Sequence, residues 1–130
     1  MGVERSVFSH HVAKPDRESA WRWPDSLDAL IAAPQNHTLL LENENVRVLD
    51  TCIAPGERTP LHTHRWPSAM YVLSWSSFVR YGERGEVLLD SRQALSLANP
   101  PQVIWSQPLP PHTLENVGNT DLRVISVELK

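Results

Sequence analysis

The rhythm of hydrophobic and polar positions changes at about residue 38 of this 130-residue chain. Before that point one stretch has helical spacing: Leu27, Leu30 and Ile31 share a face, with Pro24 and Asp25 ahead of them and Pro34 behind. Proline is tolerated at a helix start but blocks continuation, and Asp25 or Ser26 can cap the first turn. The spacing predicts one short helix, with Trp21 and Trp23 packed beside it as a cover. Residues 1–20 carry charges throughout and read as an N-terminal arm; 21–37 read as the helix and its connection. His10 and His11, adjacent in the arm, would face opposite ways on an extended segment and are read as solvated.

From Thr38 onward, short runs with β-like composition alternate with Gly, Pro and Asn punctuation. The runs cover 38–42, 46–53, 70–81, 86–89, 94–97, 103–105, 112–117 and 122–129. Eight or nine strands and one short helix predict an all-β antiparallel sandwich or jelly roll over residues 38–130, not a helical or βαβ fold.

Composition narrows the function classes. The length fits one domain with its own core, and 41% hydrophobic residues is an ordinary globular value. Net charge is −3 with no basic cluster, which argues against nucleic acid or an anionic membrane as partner. Cys52 is the single cysteine, so neither an internal disulfide nor a CxxC ligand pair can form. It reads as a small buried hydrophobe. No apolar run reaches signal-peptide or membrane-span length, so a cytoplasmic protein is expected. A Gly-x-Ser-x-Gly elbow and a Gly-rich loop before a helix are both missing.

The chemistry rests on histidines. His62 and His64 stand two apart, so on an extended strand their rings point to one side. With His112 they could hold one divalent ion and leave coordination positions open for a ligand. His37 precedes a strand and is given no role.

These residues carry a resemblance. Gly56 followed by His62-Thr63-His64 resembles the opening of the first cupin motif, and His112 with Asn116 resembles the end of the second. The resemblance spans about residues 38–130 and implies a small single-domain cupin, a double-stranded β-helical jelly roll with metal ligands inside. Two departures stand out. Ser68 and Ala69 occupy the place of the first motif's ligand glutamate, and Gln107 to Pro111 replace the proline and glycine ahead of the second motif's histidine.

The resemblance therefore implies a three-histidine site, His62, His64 and His112, without a carboxylate. Neutral ligands leave the full +2 charge uncompensated, favouring anionic, chelating ligands. Fe(II) is the favoured ion because such sites resemble those of thiol and β-diketone dioxygenases; zinc, nickel, copper or manganese also accept imidazole. The function expected is a metal-dependent dioxygenase or oxidoreductase acting on a small anionic chelating molecule. A non-enzymatic metal- or ligand-binding cupin and an oxygen-independent isomerase or lyase stand beside it. Alternation assigns Ser68, Met70 and Val72 to the cavity with Leu114 and Asn116, and Trp105 to one wall. Arg80 would clamp a substrate anion if buried, or stand as a sheet-edge charge if not, and Arg47 poses the same choice. Pairing through sheet edges makes a homodimer the expected assembly.

Overall fold

The computed structural model describes residues 21–130; the expected arm at 1–20 lies outside them. Its nine strands are β1 (His37–Glu42), β2 (Val46–Ile53), β3 (His62–His64), β4 (Ser68–Ser74), β5 (Phe78–Gly82), β6 (Val87–Asp90), β7 (Val103–Ser106), β8 (Leu109–Asn116) and β9 (Leu122–Leu129). They form a five-stranded sheet, β1-β2-β9-β4-β7, and a four-stranded sheet, β3-β8-β5-β6. All pairings between named strands are antiparallel. The expected jelly roll is present.

β2 and β9 anchor the larger sheet, paired without interruption from Val46↔Leu129 to Ile53↔Leu122. Alternation then turns Arg47, Leu49, Thr51 and Ile53 inward opposite Glu128, Ser126, Val124 and Leu122. Leu49 is fully buried, and truncating such a side chain costs about 2–5 kcal/mol. Ile53, Phe78 and Leu122 form an apolar cluster with Trp75, Leu89, Leu97 and Leu114 packed on it. This cluster closes one end of the barrel and leaves the other to polar side chains.

Three local expectations change. The helix is split: a 3-10 turn at Asp25–Leu27, then a single α-helical turn, α1 (Ala29–Ala32). Asp28 caps it, accepting from Leu30 N at 3.1 Å, a role expected of Asp25 or Ser26. The run at 70–81 is not one strand, because the chain leaves the larger sheet after Ser74 and enters the smaller one at Phe78. Residues 94–97 were expected to be extended, yet Ser91–Gln93 and Leu95–Leu97 form 3-10 turns, with Asp90 accepting from Arg92 N. Trp21 and Trp23 meet edge-on with centroids 4.8 Å apart. Trp21 lines an outer cleft with Asp28, Arg47 and Trp66, beside the helical turn as expected. Among the described residues, no helix is long and apolar enough to cross a membrane.

Candidate metal centre

The turn at Ala54-Pro55-Gly56 sets up the first histidine pair. Gly56 has φ +80°, a conformation that costs a residue with a Cβ but not glycine. Its N–H donates to Asn116 O, and Asn116 N donates back to Glu57 O, both at 2.9 Å. Asn116 itself is fully buried; its amide donates to Ile53 O and Thr120 O and accepts from Ser76 Oγ. The two motif ends are thus tied together by a structural asparagine, which does not line the cavity. From there β3 pairs with β8 so that His62 lies directly opposite His112.

Four imidazoles gather at this point. Ring centroids lie 4.4 Å apart for His62 and His112, 5.0 Å for His62 and His64, and 5.7 Å for His64 and His112. His37, the first residue of β1, adds a fourth ring, 4.9 Å from His62 and 5.2 Å from His64. One ligand atom each from His37, His62 and His64 lie within 4.8 Å of one another. His37 precedes the expected strand and lies outside both motif segments, so it has no role in the sequence reading; in the structure it opens β1, and a β-bulge sets its face. The β1–β2 register shifts between Leu39 and Leu41, so His37 pairs with inward-facing Thr51. Counting from Glu42↔Arg47 without the bulge would have paired it with Cys52, on the outer face.

Every ring is oriented the same way. Nδ1 lies 2.9 Å from Ala33 O in His37, 2.8 Å from Pro60 O in His62 and 2.7 Å from Pro110 O in His112. In His64 it lies 3.2 Å from Glu128 Oε2. Carbonyl and carboxylate oxygens only accept, so each Nδ1 carries the proton and each Nε2 keeps a free lone pair. Burial drives the pKa of all four down, to about 4 for His37 and His62, about 3 for His64 and about 2 for His112, with neighbouring histidines adding to the effect. At neutral pH they are uncharged donors, the form a metal ion binds.

A charge chain stands behind His64. Glu128, 1% exposed, bridges His64 Nδ1 and Arg47, whose Nε donates to Glu128 Oε1 at 2.7 Å. The Arg47 guanidinium also donates to both carboxylate oxygens of Asp28, at 2.9 Å each. Burial raises the Glu128 pKa, and the Arg47 charge works against that. Glu128 sits across from Ser68 in the sheet. The carboxylate missing from the first motif is therefore one strand away and one hydrogen bond behind a histidine. Sequence reasoning missed it; its inward parity on β9 beside Arg47 on β2 was the available signal.

The histidines line a cavity of about 100 Å³ between the sheets. Ser68, Met70 and Leu114 line it, as the alternation implied; Val72, assigned to the same face, does not, and Arg80, whose face the sequence left open, does. Trp105 does not: it pairs with outward-facing Ala69 and is 50% exposed, while Ser106 takes the cavity side. The strand starts one residue out of phase with the expected wall. Tyr71 and Leu73 face outward as expected, and Cys52 shares the outer side of the sheet.

Comparison with solved structures decides the fold family. A cupin domain from Bordetella pertussis Tohama I superposes with a TM-score of 0.53 at 18% identity, covering 72% of this chain and 91% of the other. The chain has the cupin fold. An RmlC-like cupin family protein with a double-stranded β-helix fold, from Methanocaldococcus jannaschii, gives a TM-score of 0.48 at 12% identity over 72% of this chain and 79% of that one. A double-stranded β-helix protein from Klebsiella pneumoniae gives 0.48 at 16%, over 87% and 80%. At 18% identity the Bordetella likeness shows the fold alone. No protein-family model matches the chain, and no match was found among curated proteins. What this cupin barrel does must be read from its own side chains.

Proposed function

We propose that this cupin is a mononuclear metal-dependent oxidoreductase of the dioxygenase type, acting on a small anionic chelating molecule. One observation carries the reading: four neutral imidazoles, three buried and His64 19% exposed, each with Nδ1 tied to an acceptor, keep their Nε2 lone pairs free around one cavity. That donor set fits a divalent ion. His37, His62 and His64 make the group whose ligand atoms lie close enough to share an ion, and His112, expected in that trio, stands outside it on the strand opposite His62. Fe(II) is the ion proposed; when bound it would supply Lewis acidity and access to dioxygen chemistry.

The chain's own residues account for the rest. Three carbonyls and Glu128 fix the rings, so no rotation is needed before an ion or ligand is met. Neutral donors leave the positive charge uncompensated in the cavity, which selects an anionic ligand. Met70, Phe78, Leu109, Leu114 and Val124 exclude bulk water and strengthen every charge interaction inside. Ser68, in the place of a ligand glutamate, keeps that wall uncharged.

The test is metal analysis of protein purified without oxygen, then oxygen uptake by the Fe(II)-loaded chain with β-diketones and small thiols. Iron at one equivalent and uptake with at least one compound support the reading. Bound metal with no oxygen uptake across the panel would replace it with an oxygen-independent isomerase or lyase, or with a ligand-binding protein.

A further inference from the structure

Among the described residues, one cation in the cavity has no counterpart. Arg80 on β5 faces the interior and lines the cavity. Its Nε is shielded from solvent and has no hydrogen-bond partner. No Asp or Glu is among the described residues that line the cavity. The guanidinium carbon lies 5.9 Å from the Phe78 ring centroid, and Trp75, Leu114 and Leu122 supply further apolar wall. Burial lowers its pKa, and no neighbouring acid offsets that effect. A buried charge ordinarily has an ion or acceptor beside it, and a planar guanidinium matches a carboxylate by two parallel hydrogen bonds.

Its position relative to the histidines follows from the register. His112 pairs with Gly82 and, across the other edge of β8, with His62. Arg80 pairs with Leu114, two residues further along both strands. The cation thus stands one inward-facing step below the histidine row, roughly 6–7 Å along the sheet. The cavity has two polar poles with apolar wall between.

We propose that Arg80 is a second anchoring point, holding a carboxylate at the far end of a ligand whose near end meets the histidines. The ligand class is a short acid carrying two separated anionic groups. This rests on the metal reading for the near pole only; the Arg80 pole stands on its own geometry.

The test uses the full chain loaded with Co(II), whose visible spectrum reports ligand entry, and titrates it with succinate, glutarate, adipate and butyrate. At least one dicarboxylate should bind about tenfold more tightly than butyrate. Arg80→Met should reduce that preference to about twofold or less without changing the Co(II) equivalents bound. Arg80→Met should also fold, because it removes a partly buried charge that has no acid beside it; Arg80→Lys, which keeps the charge, should retain part of the preference. An undiminished preference in Arg80→Met overturns the proposal, as does wild-type protein that binds none of the acids. If the wild type takes up no Co(II), the metal reading fails instead. Butyrate binding to the metal-free wild type and Arg80→Met then decides the anchor, and equal affinity overturns it.

Discussion

Arg47 and Arg80 are both inward-facing arginines on facing sheets of one barrel, and they have opposite surroundings. Arg47 is 5% exposed and saturated by acids: Glu128 on one side and both oxygens of Asp28 on the other. Arg80 has apolar neighbours and an Nε with no partner. The same residue type is therefore committed to structure in one place and left free to meet a ligand in the other. The acid partners separate the two cases: Arg47 is buried among acids, whereas Arg80 is partly buried with a shielded Nε and no acid beside it. Arg47 acts on the candidate centre only by holding Glu128, which in turn holds His64.

The comparison breaks most visibly if Arg47 is removed. Arg47→Met leaves Glu128 and Asp28 without their shared cation and should cost about 3–5 kcal/mol of stability, read by urea denaturation. Arg80→Met removes a charge that has no partner and should leave the urea midpoint unchanged or raise it. Equal losses from the two substitutions would mean that Arg80 is also paired for structure.

Glu128→Gln probes the middle of the chain of contacts. It keeps the shape but loses the charge behind His64, and metal affinity should fall about 10–100-fold in a competition titration with a chelator. Arg80→Met should leave that affinity unchanged. If both variants bind metal like the wild type, Glu128 only packs.

A further effect concerns pH. The four histidines have folded pKa values of about 2 to 4, below the ordinary value of 6.5 that the unfolded chain would show. Below about pH 6.5 the unfolded state therefore binds more protons, and stability falls with falling pH. Metal-free protein should be at full strength in this respect above about pH 6.5 and weaken steadily toward pH 4, by thermal melts. His37→Ala should flatten part of that slope, which ties the residue to the buried cluster. An unchanged slope would place His37 in water in solution.

Much of the barrel could be read from the residues, because two-residue alternation survives in its central strands. β2 and β9 begin and end where the hydrophobic pattern does, and Met70, Tyr71 and Leu73 fall on their expected faces. The failures share a cause: each depends on a backbone irregularity that composition does not mark. One bulge in β1 turns His37 inward. A crossing at 74–77 splits an apparently continuous strand between two sheets, and Asp90 caps a 3-10 turn at Ser91–Gln93 that a second, uncapped one at Leu95–Leu97 follows. Arg80 was undecided for the same reason, since its face depended on the register beyond Trp75. Glu128 was hidden differently, as an acid in a final strand that also carries Arg123 and Ser126, with its partners Arg47 and His64 lying 81 and 64 residues away.

The central claim is that the buried imidazoles share one ion. X-ray absorption at the metal edge of the Fe(II)-loaded chain tests it most directly. The account predicts a single ion per chain in a shell of nitrogen and oxygen donors with scattering from at least three imidazoles, reduced by one in His37→Ala. A site with fewer than two imidazoles, or a spectrum that His37→Ala and His62→Ala leave untouched, would contradict it.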